Sequence, residues 1–176
     1  TLAFIPPSCN ASCNGSMTLS IAGGSFPYTV TIGSTTTTPT TPTMVATPGG
    51  FTVGGMCGGI VYTFTITDKN GCTGIATKSL AAPPPLLANG STQSITCFGA
   101  CTGSSQVSPT GGTPGFTVNW STGATAAIGA GGTASLTGLC ATVSPITATV
   151  TDSKGCSVIY TSPVLADIDG DASPEV

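Results

Sequence analysis

One eight-residue phrase occurs twice in this chain: TITDKNGC at residues 65–72 and TVTDSKGC at residues 149–156. Thr65, Ile66 and Thr67 alternate as a half-buried strand does. Asp68, Lys69, Asn70 and Gly71 are turn formers, and Asn-Gly is the strongest short hairpin signal. The second copy has Lys154-Gly155 instead and keeps the glycine. Each copy predicts a strand, a tight turn and a second strand that opens on a cysteine.

The repetition extends well beyond the phrase. Cys9 and Cys13 are spaced like Cys97 and Cys101, and the segment from Gly23-Gly24 to Val30 aligns with Gly111-Gly112 to Val118. Met56-Cys57 aligns with Leu139-Cys140, and Cys72 with Cys156. The offset is about 88 residues early and about 84 late, and the difference falls mainly in the insertion STTTTPTTPT at residues 34–43. Two homologous units of domain size follow. The boundary falls in AAPPPLLA, residues 81–88, where three consecutive prolines make a stiff connector. This divides the chain into 1–82, 83–166 and an acidic tail, 167–176.

Several short strands with Gly-Gly, Asn-Gly or Pro turns recur in both units. MTLSI (17–21), PYTVTI (27–32), IVYTFTIT (60–67) and TGIATKSL (73–80) are answered by SSQVSP (104–109), FTVNW (116–120), PITATVT (145–151) and SVIYTSPV (157–164). No amphipathic helix is evident. The pattern predicts an all-β fold: two tandem immunoglobulin-like β-sandwich domains, with Trp120 in the core on the third strand of its unit and Ile32 in the matching place.

Composition then excludes functions. There are 3 Lys+Arg, 6 Asp+Glu and no His among 176 residues, with charged residues at 5%. No basic patch for nucleic acid can be built from so few cations. No apolar run approaches the length of a membrane-spanning helix. Without His, and with a single acid per unit before the tail (Asp68 or Asp152), paired acid–base catalysis has no residues to use. At their turn positions both aspartates are placed to cap their own backbone. Ser and Thr make up roughly a third of the chain, and low charge ordinarily means poor solubility. Glycans or assembly into a filament would resolve that conflict. Residue 1 is Thr and no signal peptide is visible, so the sequence reads as a mature chain or a fragment.

The spaced motifs C-x3-C-x-G, GG-[ST]-x-x-[YF], a late Leu/Met-Cys and T-[IV]-T-D-x-x-G-C resemble the SprB-type repeats of very long secreted surface proteins of Bacteroidetes, the gliding adhesin among them. The resemblance covers about residues 5–82 and 93–165. Departures are the Thr/Pro insertion and Ser25-Phe26-Pro27, where the family usually has Thr-Pro-Pro. The resemblance implies an extracellular, cell-surface β-sandwich repeat of a filament or adhesin stalk, linked within a longer chain or self-associating, and it implies no enzymatic activity. The runner-up is a carbohydrate-binding module pair of a larger secreted protein. A third reading, a strand-donating pilus subunit, requires a unit lacking a strand.

Eight cysteines, four per unit, fit disulfides in an oxidising compartment better than zinc, since paired C-x2-C knuckles and His are lacking. In an immunoglobulin-like order the second and sixth strands run the same way, so the cysteines preceding them lie at one end. That pairs Cys13 with Cys57 and Cys101 with Cys140. Elimination then pairs Cys9 with Cys72 and Cys97 with Cys156, and the resemblance agrees, since simpler repeats keep only the first and last cysteines. The rival is a local Cys9–Cys13 bridge that leaves Cys57 with Cys72.

Candidate modification and ligand sites complete the reading. The Thr/Pro run (Thr35, Thr36, Thr37, Thr38, Thr40, Thr41, Thr43) resembles an O-glycosylated tract, against a plain hairpin loop. Four of the five asparagines lie in N-x-S sequons: Asn10, Asn14, Asn89 and Asn119. Asp167, Asp169, Asp171 and Glu175 occupy positions 1, 3, 5 and 9 of a loop containing Gly170, a pattern for calcium, against a solvated acidic tail.

Overall fold

The structure is a computed structural model that describes residues 2–34, 44–46, 50–95, 100–140 and 145–162, with 44–46 described by backbone alone. The Thr/Pro run, Cys97 and the acidic tail lie outside the described residues. The chain divides into two compact units between Pro83 and Pro84. Every strand pairing among the described residues is antiparallel.

The first unit contains β1 (Leu2–Ile5), β2 (Gly15–Leu19), β3 (Tyr28–Ser34), β4 (Met44–Ala46), β5 (Phe51–Met56), β6 (Ile60–Thr67) and β7 (Thr73–Leu80). They form a three-stranded sheet, β1-β2-β5, and a four-stranded sheet, β4-β3-β6-β7. The second unit repeats this with β8 (Leu87–Gln93), β9 (Gly103–Thr110), β10 (Phe116–Trp120), β11 (Thr125–Ile128), β12 (Ala134–Leu139), β13 (Ile146–Thr151) and β14 (Ser157–Ser162). Its sheets are β8-β9-β12 and β11-β10-β13-β14. This is the immunoglobulin-type strand order, with the fourth strand placed beside the third.

Alternation builds the core. In β10, Phe116, Val118 and Trp120 are buried while Thr117 and Asn119 are exposed, because successive side chains point to opposite faces. Phe116, Val118, Trp120, Ile146, Ala148 and Val150 from one sheet meet Val107, Ala134 and Leu139 from the other. In the first unit Val30, Ile32, Tyr62 and Phe64 meet Met17, Leu19 and Met56. Full burial of a side chain like Phe64 stabilises by about 2–3 kcal/mol. Trp120 and Ile32 are both core residues on the third strand of their units, at 4% and 9% exposure. Tyr62, near the start of the sixth strand, accepts the backbone N–H of Cys57 at 2.8 Å and donates to its carbonyl at 3.3 Å. That is a tyrosine-corner arrangement. Ile146, fully buried, takes the place in the second unit.

Two disulfides join the loop before the second strand to the loop before the sixth: Cys13–Cys57 and Cys101–Cys140. The expected Cys9–Cys72 bridge is not formed, because Cys72 is a free, exposed thiol. The reason is direction. Asn10 Nδ2 donates to Pro83 O at 2.9 Å, and β7, which leads to Pro83, ends on Leu80 opposite Ile60, the first residue of β6. Cys9 therefore lies at the end where β6 begins. Cys72 follows the turn at the end where β6 finishes. Eight strand residues separate those ends by about 26 Å, whereas a disulfide needs Cα atoms within about 7 Å. The corresponding bridge, Cys97–Cys156, involves a residue outside the described ones. The rival pairing of Cys9 with Cys13 and Cys57 with Cys72 is excluded by the Cys13–Cys57 bond.

Candidate functional site

The repeated phrase folds around its aspartate. Asp68 Oδ1 accepts the backbone N–H groups of Asn70 and Cys72, each at 2.9 Å, and its own N–H donates to Cys72 O at 2.9 Å. Gly71 N–H donates to Asp68 O at 3.0 Å with φ +82°, a left-handed conformation in which a Cβ is strained. Asp152 repeats every bond: Oδ1 accepts from Lys154 and Cys156 at 2.9 Å, and Gly155 has the same φ.

The second carboxylate oxygen reaches another repeated motif. Asp68 Oδ2 accepts Ser25 N–H at 3.0 Å, and Asp152 Oδ2 accepts Thr113 N–H at 2.8 Å. Lys69 and Ser153 N–H donate back to the carbonyls of Ser25 and Thr113. The aspartate thus ties the Gly-Gly turn before the third strand to the hairpin after the sixth. The N–H of Ser25, then that of Cys72, holds the Asp68 carboxyl below its ordinary value against the opposing effect of burial. For Asp152 burial is the largest single influence and pushes upward. The N–H groups of Thr113, Cys156 and Lys154 together outweigh it, so the carboxyl is again lowered. A carboxylate held ionised by donated N–H groups is a structural clasp and a poor proton donor.

Beside the clasp, the first unit has an open cavity of about 470 Å³ lined by residues that include Leu19, Ile21, Gly24, Asp68, Cys72 and Ala76. Its wall mixes apolar side chains with the clasp carboxylate, and the Cys72 thiol borders it. The sequence pattern alone did not reveal this cavity. Its only signal was the pairing of the two motifs, GG-[ST] and T-D-x-x-G-C, in each repeat.

The sequons are spread apart. Asn10 Nδ2 is held by Pro83 O, and Asn14 bonds Ser8 through both ends of its amide, at 2.9 and 2.7 Å. Asn89 donates to Thr110 Oγ1 at 3.2 Å, and Asn119 is exposed on β10 beside buried Trp120. Among the described residues no three His, Cys, Asp or Glu side chains cluster as metal ligands, and no helix is long and apolar enough to cross a membrane. The proposed calcium ligands Asp167, Asp169, Asp171 and Glu175, and the Thr35–Thr43 tract, lie outside the described residues.

No curated protein matches the chain in sequence. Residues 89–125, which run from β8 through the Gly111-Gly112 turn and β10 to the start of β11, match the family model of the SprB repeat, a structural repeat rather than an enzyme.

Proposed function

We propose that the chain is a pair of structural repeats from an extracellular filament or adhesin stalk on a bacterial surface, carrying glycans and joined to further repeats in a longer chain or by self-association. The observation that carries the reading is the match of residues 89–125 to the SprB repeat, on a fold whose whole plan is written twice. Two further features support it. Loop-to-loop disulfides in both units suit an oxidising, extracellular setting. The near absence of charge suits a surface that is covered or assembled.

The carbohydrate-binding alternative needs a platform of exposed aromatic rings. Among the described residues the exposed aromatics are Phe4 and Phe26, and Lys78 Nζ lies 4.9 Å over the Phe4 ring. Immunogold electron microscopy of the producing cells tests the stalk reading. Gold is expected along fibres at the cell surface, and gold confined to the cell interior refutes it. Mass spectrometry of the native material tests glycosylation. Asn119, exposed on β10, is a better placed acceptor than Asn14 or Asn89, whose Nδ2 nitrogens donate to Ser8 Oγ and Thr110 Oγ1.

A further inference from the structure

A strand at the edge of a sheet offers N–H and C=O groups to any passing chain, and proteins blunt such edges with bulges, prolines, short strands or cover. Most edges here are blunted. β5 and β12 each carry an extra glycine, Gly55 and Gly138, at a shift of register. β1, β4 and β11 have only four, three and four residues. Tyr160 of β14 packs against Gly90 in β8, and Pro163 directly follows β14. β7 is different. It has eight residues, no proline, and an unbroken register against β6 from Ile60↔Leu80 to Thr67↔Thr73. Among the described residues it pairs with no other strand.

The cavity beside the clasp runs along this strand, since every residue from Cys72 to Ala76 lines it. Its origin is visible in the repeat. Gly74 and Ala76 stand where the second unit has Val158 and Tyr160, which pack on the core. A Cβ on Gly74 would meet nothing within 4 Å. At the middle of the strand Ile75 is 71% exposed. At its start the Asp68 carboxylate caps Cys72. Near its end Lys78, the one charged residue of β7, lies over the Phe4 ring. The edge is thus negative at one end, positive at the other and apolar between.

We infer that β7 is a docking edge for a second copy of this chain, pairing antiparallel with its own counterpart about Ile75. A strand paired with itself in this way lies on a two-fold axis, so every contact is made twice. The register centred on Ile75 sets Ile75 against Ile75, Thr73 against Thr77, and Lys78 against Cys72. Opposed residues share a face at a Cα separation of about 4.5–5.5 Å. Each Lys78 is therefore brought to the other copy's Asp68 carboxylate, which is bonded to the Cys72 N–H at 2.9 Å. The two exposed isoleucines cover one another, and the threonines add cross-strand pairs. Charge selects this direction, because the antiparallel arrangement puts the positive end of each edge on the negative end of the other. One strand pair is a small contact, in the transient class below about 1,200 Å². Repetition along a stalk multiplies it. The inference deepens the self-association in the proposed function and rests on that reading for its setting; its geometry rests on the first unit alone.

Cross-linking reads the register directly. The full 1–176 chain carrying Cys72→Ser and Ile75→Cys is oxidised with diamide, and the products are mapped by non-reducing mass spectrometry. In the inferred pairing the two thiols at position 75 face each other, whereas two at position 77 lie about 14 Å apart, beyond the roughly 7 Å that a disulfide spans. Ile75→Cys is expected to give a covalent dimer linked through residue 75 at least about tenfold faster than Thr77→Cys does in the same background. A mixture of Thr73→Cys and Thr77→Cys chains is expected to link 73 to 77. Adding Lys78→Glu to Ile75→Cys is expected to slow the reaction, and so is raised salt. Should Lys78→Glu fail to fold by circular dichroism, the salt series carries the same reading. Equal rates for Ile75→Cys and Thr77→Cys, or no 73–77 link in the mixture, overturn the pairing. A rate indifferent to both Lys78→Glu and salt overturns it as well. Such failures leave the surface-labelling test of the stalk reading untouched, and gold absent from surface fibres would leave a positive cross-link standing.

Discussion

Asp152 Oδ2 accepts the backbone N–H of Thr113 at 2.8 Å across 39 positions of sequence, while its Oδ1 caps the hairpin that contains it. One side chain thereby fixes two loops. Asp152→Ala is expected to destabilise the second unit by about 2–3 kcal/mol, because it leaves donors unpaired where water has little access. Chemical denaturation followed by Trp120 fluorescence measures it, since Trp120 is the one tryptophan and lies in that unit's core. Asp68→Ala is expected to cost less, since Asp68 is partly exposed and water can replace its oxygens.

Acid should loosen both clasps. Each carboxyl is lowered from its ordinary value of 3.8. A depressed folded value means the stabilisation is complete above the unfolded value and is lost as pH falls through the folded one. Stability should therefore be level from neutrality to about pH 5 and decline below about pH 4. Asp152→Asn should flatten that decline. An equal acid slope in wild type and variant would remove Asp152 as its source.

The disulfides should restrict extension under force. Cys13–Cys57 and Cys101–Cys140 enclose separations of 44 and 39 residues. Reduction should lengthen the extended chain by about 150 Å and about 130 Å respectively, at the reach of an extended backbone. Single-molecule pulling with and without reductant reads these increments. In solution, loss of either bridge should cost about 3–4 kcal/mol. Non-reducing peptide mapping should return a fragment linking residues 13 and 57, with Cys72 alkylated before reduction.

Ser105 Oγ is fully buried with no hydrogen-bond partner among the described residues. Its first-unit counterpart is Met17, at 1% exposure. Ser105→Ala should stabilise the second unit by about 1 kcal/mol, since an unpaired buried hydroxyl is costly. Thermal unfolding of the variant checks this, and a lower midpoint would mean that the hydroxyl has a partner.

The sequence by itself determined what rests on local rules. Period-two alternation located β3, β6, β7, β10, β13 and β14 to within a residue or two, and in several cases at both ends. The glycines at 71 and 155 marked turns that only left-handed φ values close, and repetition established that the fold occurs twice. The short strands β4, β5, β11 and β12 were not legible, because Gly, Ala and Thr in strands of three to six residues give little periodic signal. Tertiary structure alone decided where Cys72 lies relative to Cys9. Cys13 and Cys57 precede strands running the same way, so spacing and strand order sufficed for them. Cys72 precedes β7, which runs against β6, and that reversal carries it about the length of a strand away from Cys9. Residues 87–93 read as part of a connector and its sequel, yet they form β8, because the Ser104–Thr110 edge supplies the hydrogen-bond partners that no local pattern in those residues announces.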